Sequence, residues 1–270
     1  MGDQQVGILR GFSAVDATAE PAELIAYLDE ADQAPLIIDV RARIADALKL
    51  RPGEAIVDVG CGTGTALFEL VDRLADEGRA VGVDASAEMV AVAEQRRPSL
   101  VEIVCASATA LPFADGVFDA YRAERVYQHL DEPRLALAEA RRVLRSGGRL
   151  VLAEPDWEGL VLDEPKPALL RRALTAVLAA RPGGTVGRRL RRLLVEERFD
   201  HVRVEAVMST MTKLALAKPL ILAPILDHAR TLGVVEAAEV EALLHELGER
   251  DERRGFFVAL PTFIACATRP

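Results

Sequence analysis

Apolar positions follow two periods along this chain. Ala55–Val59, Ala80–Asp84, Val101–Cys105, Phe118–Arg122 and Arg149–Glu154 are short, nearly continuous apolar runs. Runs of that length read as strands buried on both faces. Between them, residues 65–76, 87–96 and 133–144 are apolar at every third or fourth position, the period of an amphipathic helix. Arg51-Pro52-Gly53, Gly78, Pro98, Asp115-Gly116 and Gly147-Gly148 punctuate the alternation. Strand and helix alternating at this spacing predict a doubly wound, mostly parallel α/β sheet. Upstream, Leu24, Ile25 and Leu28 share one helical face, and Pro35 separates them from a second helix carrying Ile37, Val40, Ile44 and Leu48. Downstream, helices are expected at 168–179, 187–197, 213–232 and 236–250, with strands at 202–208 and 256–268 closing the sheet. The chain reads as one domain in three portions: a helical cap over 1–50, a core over 51–155, and the rest of the sheet with covering helices over 156–270.

Composition narrows the class. Half of the 270 residues are hydrophobic and 28% are charged, which excludes disorder, collagen-like repeats and disulfide scaffolds. Lys and Arg total 33 against 42 Asp and Glu, a balance that argues against nucleic acid as a partner. Cys61, Cys105 and Cys266 are scattered, with no CxxC pair, so neither a metal site nor a disulfide is expected, and reduced thiols fit a cytoplasmic protein. Cys105 and Cys266 read as core residues. Residues 1–6 hold no basic or apolar targeting signal, and the most apolar stretch, 214–226, is broken by Lys218, Pro219 and Pro224, so no membrane attachment is expected. Residues 166–203 hold ten basic and three acidic side chains. A solvated helix face accounts for them; an anionic substrate or partner is the alternative.

The chemistry concentrates after the first strand. Gly60-Cys61-Gly62-Thr63-Gly64 is a GxGxG turn between strand and helix, where backbone can approach a ligand closely. A dinucleotide GxGxxG motif would need glycine at Thr65 or Leu67, and no Gly-Lys-Ser/Thr follows for a P-loop. Asp58 precedes the turn by two residues, and Asp84 ends the next strand, where an acid can accept hydrogen bonds from a ribose diol.

These residues resemble the signature of the class I S-adenosylmethionine-dependent methyltransferases. Val57–Gly64 is similar to their first motif, Val83–Ser86 with Met89 to the second, Leu111-Pro112-Phe113 before Phe118-Asp119 to the third and fourth, and Arg142–Arg149 to the run before the fifth strand. The likeness covers roughly 35–155 and is greatest to the small-molecule branch that includes ubiquinone and menaquinone methyltransferases. It implies a Rossmann-like seven-stranded sheet and S-adenosylmethionine as methyl donor, leaving S-adenosylhomocysteine as product. It also implies roles: Gly60, Cys61 and Gly62 against the methionine and ribose, Asp58 orienting that loop or meeting the amino group, Asp84 on the ribose, and Ala85 and Met89 beside the adenine. Backbone near Ala123 and Glu124 would face the amino group, and Arg41 would pair the carboxylate. Ser107, beside Ala108, stands where many relatives carry an acid toward the adenine; its hydroxyl still accepts a hydrogen bond.

His129 is the candidate general base, with a structural histidine as the alternative. Tyr27, Tyr127 and Trp157 are candidate contacts to the acceptor. The chain has no Asn, so the Asp-Asn pair of metal-dependent catechol-type relatives is absent, and Ala123-Glu124-Arg125-Val126 replaces the Asn/Asp-Pro-Pro-aromatic motif of enzymes that methylate amino groups. The expected activity is methylation of an O, N or C atom of a small molecule, a secondary metabolite or quinone-like acceptor, by a monomer or homodimer. A cofactor-binding protein with a non-methylating reaction, and a pure binding module, are the alternatives. The apolar stretch at 214–226 is too rich for a solvated helix, so 210–255 is expected to form, with the helix around Tyr27, a lid over the reaction pocket.

Overall fold

A computed structural model describes residues 21–164 and 167–270. Five parallel strands are built from the apolar runs: β1 (Ala55–Val59), β2 (Arg79–Asp84), β3 (Val101–Cys105), β4 (Phe118–Glu124) and β5 (Leu144–Pro155). A two-residue strand β6 (Val161–Leu162) and the long strands β7 (Asp200–Met211) and β8 (Val258–Thr268) complete the sheet. The order runs β3-β2-β1-β4-β5-β8, with β7 on the far edge of β8. β8 is antiparallel to β5, β6 and β7. β6 pairs with Val258 and Ala259 on the edge that β5 occupies from Thr262 onward, so it prolongs the β5 lane. Eight strands therefore fill the seven lanes expected from the sequence.

Helices cover both faces. Alternate residues of β1 point to opposite layers, as period-2 geometry requires. Val57 and Val59 join a core under α5 (Pro133–Val143) and α7 (Leu190–Glu196), numbering after α1 (Pro21–Asp32), α2 (Pro35–Leu48), α3 (Thr65–Phe68), α4 (Ala87–Arg96) and α6 (Pro167–Ala180). Ile56 joins Val40, Ile44 and Leu48 of α2 on the other face. A third core joins α6, the ends of β7 and β8, and the inserted helices α8 (Leu214–Ala217), α9 (Ala223–Thr231) and α10 (Ala237–Glu252).

Two helix expectations need correction. The helix expected at 65–76 stops at Phe68 and resumes as a 3-10 turn over Val71–Arg73. Leu67, Leu70 and Leu74 are buried by either geometry, and backbone bonds from Leu70 to Leu67 and from Leu74 to Val71 take the tighter one. The helix expected at 213–232 is divided into α8, a π-turn over Lys218–Leu222, and α9. Pro224 stands four residues after Leu220 and has no N–H for its carbonyl. The Tyr27 hydroxyl donates to that carbonyl at 3.3 Å instead. Cys105 is exposed and Cys266 partly buried, so neither is the fully buried core residue expected. Arg172 pairs with Glu239, Arg188 with Asp156 and Glu158, and Arg192 with Glu196, so ion pairs hold three of the ten basic side chains; Lys166 lies outside the described residues.

Candidate active site

A cavity of about 290 Å³ opens at the carboxyl ends of β1, β2, β4 and β5. This is the position at which open α/β sheets bind ligands. Its floor is the turn after β1. Gly60, Gly62 and Gly64 have φ of +72°, +54° and +87°, a region that penalises side chains. A Cβ on Gly60 would lie 2.3 Å from Val126 Cγ2, so the loop after β4 sits directly on this turn. The Gly60 and Cys61 amides donate to the Val83 carbonyl at 2.7 and 3.0 Å. Asp84 completes the clamp: the Gly62 amide donates to one carboxylate oxygen at 2.8 Å and the Ser86 amide to the other at 3.0 Å. Ser86, not Asp84, caps α4, its hydroxyl accepting from the Met89 amide at 3.1 Å. Asp84 thus faces the glycine turn and the cavity.

A buried ion-pair chain lies between α2 and the top of the sheet. Asp58 and Arg122 are register partners on β1 and β4, and one Arg122 nitrogen donates to both Asp58 oxygens at 2.7 and 2.6 Å. Arg122 also pairs with Glu124, two residues along the same face. Arg41 reaches Glu124 at 3.3 Å and Asp32 at 2.5 Å. Arg125 stands 3.6 Å from Glu124 and 3.9 Å from Asp32. Burial alone would raise the Glu124 carboxyl, but Arg122, Arg125 and Arg41 hold it below its ordinary range. Three buried atoms of this ion-pair chain make no hydrogen bond, Arg41 Nη1, Glu124 Oε1 and Arg125 Nε, the last two standing 3.6 Å apart. Such atoms are costly to leave unmade.

Behind the loop after β4 stands Glu154, fully buried. It accepts from the amides of Val126, Tyr127 and Gln128 at 2.8, 2.7 and 3.3 Å. Burial pushes its carboxyl up to about 8, outweighing those donors. The loop turns Gln128 and His129 toward the cavity. Arg181 donates to His129 Nδ1 at 2.8 Å, and a guanidinium cannot accept, so the imidazole proton sits on Nε2. Burial, with Arg181 and Arg125 nearby, pushes the His129 pKa down to about 3. With its Nδ1 lone pair taken by Arg181, His129 fits the alternative reading, a structural histidine, better than a general base.

The cavity gathers Tyr27, Arg41, Gly60, Cys61, Gly62, Asp84, Ala85, Met89, Ser107, Ala108, Glu124, His129 and Trp157 from the expected set. Asp58 lies behind the wall, held by Arg122. Tyr127 does not face the cavity: it is fully buried in the sheet core with its hydroxyl 3.2 Å from that of Tyr121. The 3-10 turn over Tyr127–His129 explains this, since successive residues on so tight a turn point in different directions. Ser107 is exposed and bonded to Thr109 at 2.8 Å. Trp157 donates to Gln128 Oε1 at 2.8 Å. Met211, Leu220 and Ile221 of the inserted segment roof the cavity with Tyr27, Leu36 and Ile37. Asp32, Arg122, Arg125, Glu154 and Arg181 were missed. The sequence signal for two of them was a charge inside an otherwise apolar strand, at Arg122 and Glu154. Among the described residues, no group of three His, Cys, Asp or Glu could hold a metal, and no helix is long and apolar enough to cross a membrane.

Comparison with known proteins places this architecture. A family model described as a methyltransferase domain matches residues 57–152. A 37.1 kDa protein from a transposon of Streptomyces fradiae is 41% identical over 187 residues, covering 67% of this chain and 53% of that protein. A demethylmenaquinone methyltransferase of Clavibacter sepedonicus is 34% identical over 177 residues, covering 61% of this chain and 68% of that protein. The chain spans about half the length of most of the curated relatives it matches. A phosphoethanolamine N-methyltransferase of Haemonchus contortus, solved with S-adenosylmethionine, superposes with a TM-score of 0.62 at 16% identity, over 100% of this chain and 61% of that one. The chain belongs to the class I S-adenosylmethionine-dependent methyltransferases.

Proposed function

We propose that this chain transfers a methyl group from S-adenosylmethionine to a small, largely apolar acceptor. The observation that carries the reading is the pair of orphaned atoms at one end of the glycine-floored cavity. Glu124 Oε1 has only the long 3.6 Å approach of Arg125 Nε, and Arg41 Nη1 is a donor in want of an acceptor. An α-amino acid end supplies both partners, an ammonium for Glu124 and a carboxylate for Arg41. Asp84, held beside the glycine turn by the Gly62 and Ser86 amides, would receive the ribose. Ala85, Met89, Ser107 and Ala108 would hold the adenine, and Gly60, Cys61 and Gly62 the methionine and ribose portion. When bound, the donor supplies a methyl group activated on a sulfonium. The chain's own contribution is alignment and exclusion of water. The roof of Leu220 and Ile221, with Tyr27 and Trp157, holds the acceptor, which we infer to be quinone-like or a related secondary metabolite. The protein acts in the cytoplasm, as a monomer or homodimer, on no nucleic acid.

Calorimetry with S-adenosylhomocysteine, together with label release from methyl-labelled donor in metabolite extracts, tests the reading. Binding that weakens at least tenfold in Glu124→Gln, with labelled product formed, supports it. A folded protein that binds neither donor nor product removes it; binding with no donor consumed favours a non-methylating reaction.

A further inference from the structure

Behind one wall of the cavity lies a second, smaller space. It measures about 20 Å³, room for about one water molecule. Leu174, Val177 and Leu178 of α6 and Ile225 of α9 give it an apolar lining. The residues common to the linings of both spaces are Gln128 and Trp157. Elsewhere the apolar wall of the large cavity is solid: Ile37, Met211, Leu220, Ile221 and Leu260 are buried members of the third core. The wall at Trp157 instead backs on open volume. Trp157 directly follows β5, three lanes across the sheet from the end of β2 that carries Asp84, a separation of about 14 Å at the usual strand spacing. This wall therefore closes the side of the cavity remote from the ribose position.

The partition is held from both sides. The Trp157 indole N–H donates to Gln128 Oε1 at 2.8 Å, and Gln128 Nε2 donates to the Arg125 carbonyl at 3.3 Å. The two side chains thus fix one another, and the amide is anchored to the backbone of the loop after β4. The 3-10 turn over Pro182–Thr185 closes in from behind, which its two glycines permit. A Cβ on Gly183 would lie 2.1 Å from the Gln128 carbonyl oxygen. One on Gly184 would lie 2.6 Å from Leu178 Cδ2 and 3.5 Å from Trp157 Cδ1. With its N–H bonded and its ring backed by this turn, the indole has one orientation, and the smaller space stays sealed from the larger.

Resting on the function proposed above, we propose that Trp157, locked by Gln128, determines specificity at the acceptor end by limiting the length of the apolar substituent an acceptor can carry. The indole is the stop against which that substituent ends. The space behind it is the extension that a smaller side chain at position 157 would open, floored by Leu174, Val177, Leu178 and Ile225.

The test reads binding rather than turnover. Phenols carrying an unbranched 4-alkyl chain of one to ten carbons are titrated calorimetrically into protein saturated with S-adenosylhomocysteine. For the wild-type chain, affinity should rise roughly fourfold per methylene up to a limiting length and then stop rising. Trp157→Ala should move that limit by at least two carbons, about sixteenfold in Kd at the longer length. Adding Val177→Phe to Trp157→Ala refills the rear space and should return the limit toward that of the wild-type chain. Trp157→Leu, a milder truncation, should move the limit in the same direction and carries the test if Trp157→Ala does not fold. A limit within one carbon of the wild-type one in a folded Trp157 variant overturns the proposal. So does an extension that Val177→Phe leaves in place, or no alkylphenol binding while S-adenosylhomocysteine binds. Failure of S-adenosylhomocysteine itself to bind the wild-type chain sinks the methyltransferase reading instead.

Discussion

Replacing Asp84 with Asn separates a ligand-binding carboxylate from a structural one. Each carboxylate oxygen accepts one backbone amide, from Gly62 and from Ser86. An Asn side chain has one oxygen and one NH2, so in either orientation one of those amides faces a donor. An unsatisfied donor of this kind costs about 1–3 kcal/mol, which appears as a melting temperature lower by roughly 2–10 °C for a chain of this size. The affinity effect is separate. Hydrogen bonds from a ribose diol to a carboxylate are about twice as strong as those to a neutral amide. Their loss costs about 1–2 kcal/mol, roughly five- to thirtyfold in Kd. S-adenosylhomocysteine is the suitable ligand because it keeps the ribose and lacks the sulfonium. Calorimetry on protein shown to be folded gives the affinity, and thermal unfolding gives the stability. A variant whose melting temperature falls while its Kd stays within twofold would show that Asp84 only ties the turn to β2, and the ribose assignment would be refuted.

Gly60→Ala should abolish measurable cofactor binding, because its Cβ would meet Val126 2.3 Å away at φ +72°; Gly60→Ala with Val126→Ala should regain part of it, as calorimetry can check. Tyr27→Phe removes the bond to the Leu220 carbonyl, worth about 1 kcal/mol, and should raise the acceptor KM several-fold while leaving the Kd for S-adenosylhomocysteine unchanged. Two buried groups give opposite pH slopes. Glu154 is raised to about 8, so its folded form binds more protons than the unfolded chain, and its contribution is lost as pH rises from about 4.5 to 8; Glu154→Gln should flatten that limb of a melting-temperature profile. His129 is lowered to about 3, so its contribution is lost as pH falls below about 6.5, and His129→Gln should flatten the acid limb.

The parallel core was legible because a strand buried on both faces must be apolar at nearly every position; β1 to β4 were read within two residues of their ends, while β5 begins at Leu144, five residues before the expected start. Local periodicity failed where two geometries bury the same residues. Leu67, Leu70 and Leu74 satisfy an α-helix and a 3-10 turn alike, and sequence does not say which backbone bonds win. Pro219 and Pro224 signalled a disturbed helix, but not that a π-turn would follow or that a tyrosine some two hundred residues away would take the Leu220 carbonyl. At the site, the motif residues were legible because a turn and a strand end fix them locally. The charged chain was not, because it joins α1, α2, β1 and β4. Tyr127 was misplaced by a single step of a tight turn. His129 was placed in the cavity, but its partner Arg181 comes from a segment read only as generally basic.

That charged chain bears on how the binding end works. Asp32, Asp58 and Glu124 face Arg41, Arg122 and Arg125, three acids against three bases. Buried ion pairs seldom add net stability, because desolvation offsets most of the attraction. A chain that only needed to fold would do as well with apolar side chains between α2 and the sheet. The arrangement makes physical sense for a site that must receive a zwitterion. It is neutral as a whole, so it neither repels nor overbinds a ligand end carrying both charges. Its carboxylates and guanidinium groups are already oriented by one another, so little reorganisation is needed when the ligand arrives. The prediction that follows separates binding from folding. Replacing Asp58 and Arg122 together by leucines removes a matched pair and should leave the melting temperature within a few degrees. It should also weaken S-adenosylhomocysteine at least tenfold, because Glu124 loses the partner that aims it. Unchanged affinity in a folded double variant would show that Glu124 needs no such orientation, and the zwitterion would have to be held by Arg41 alone.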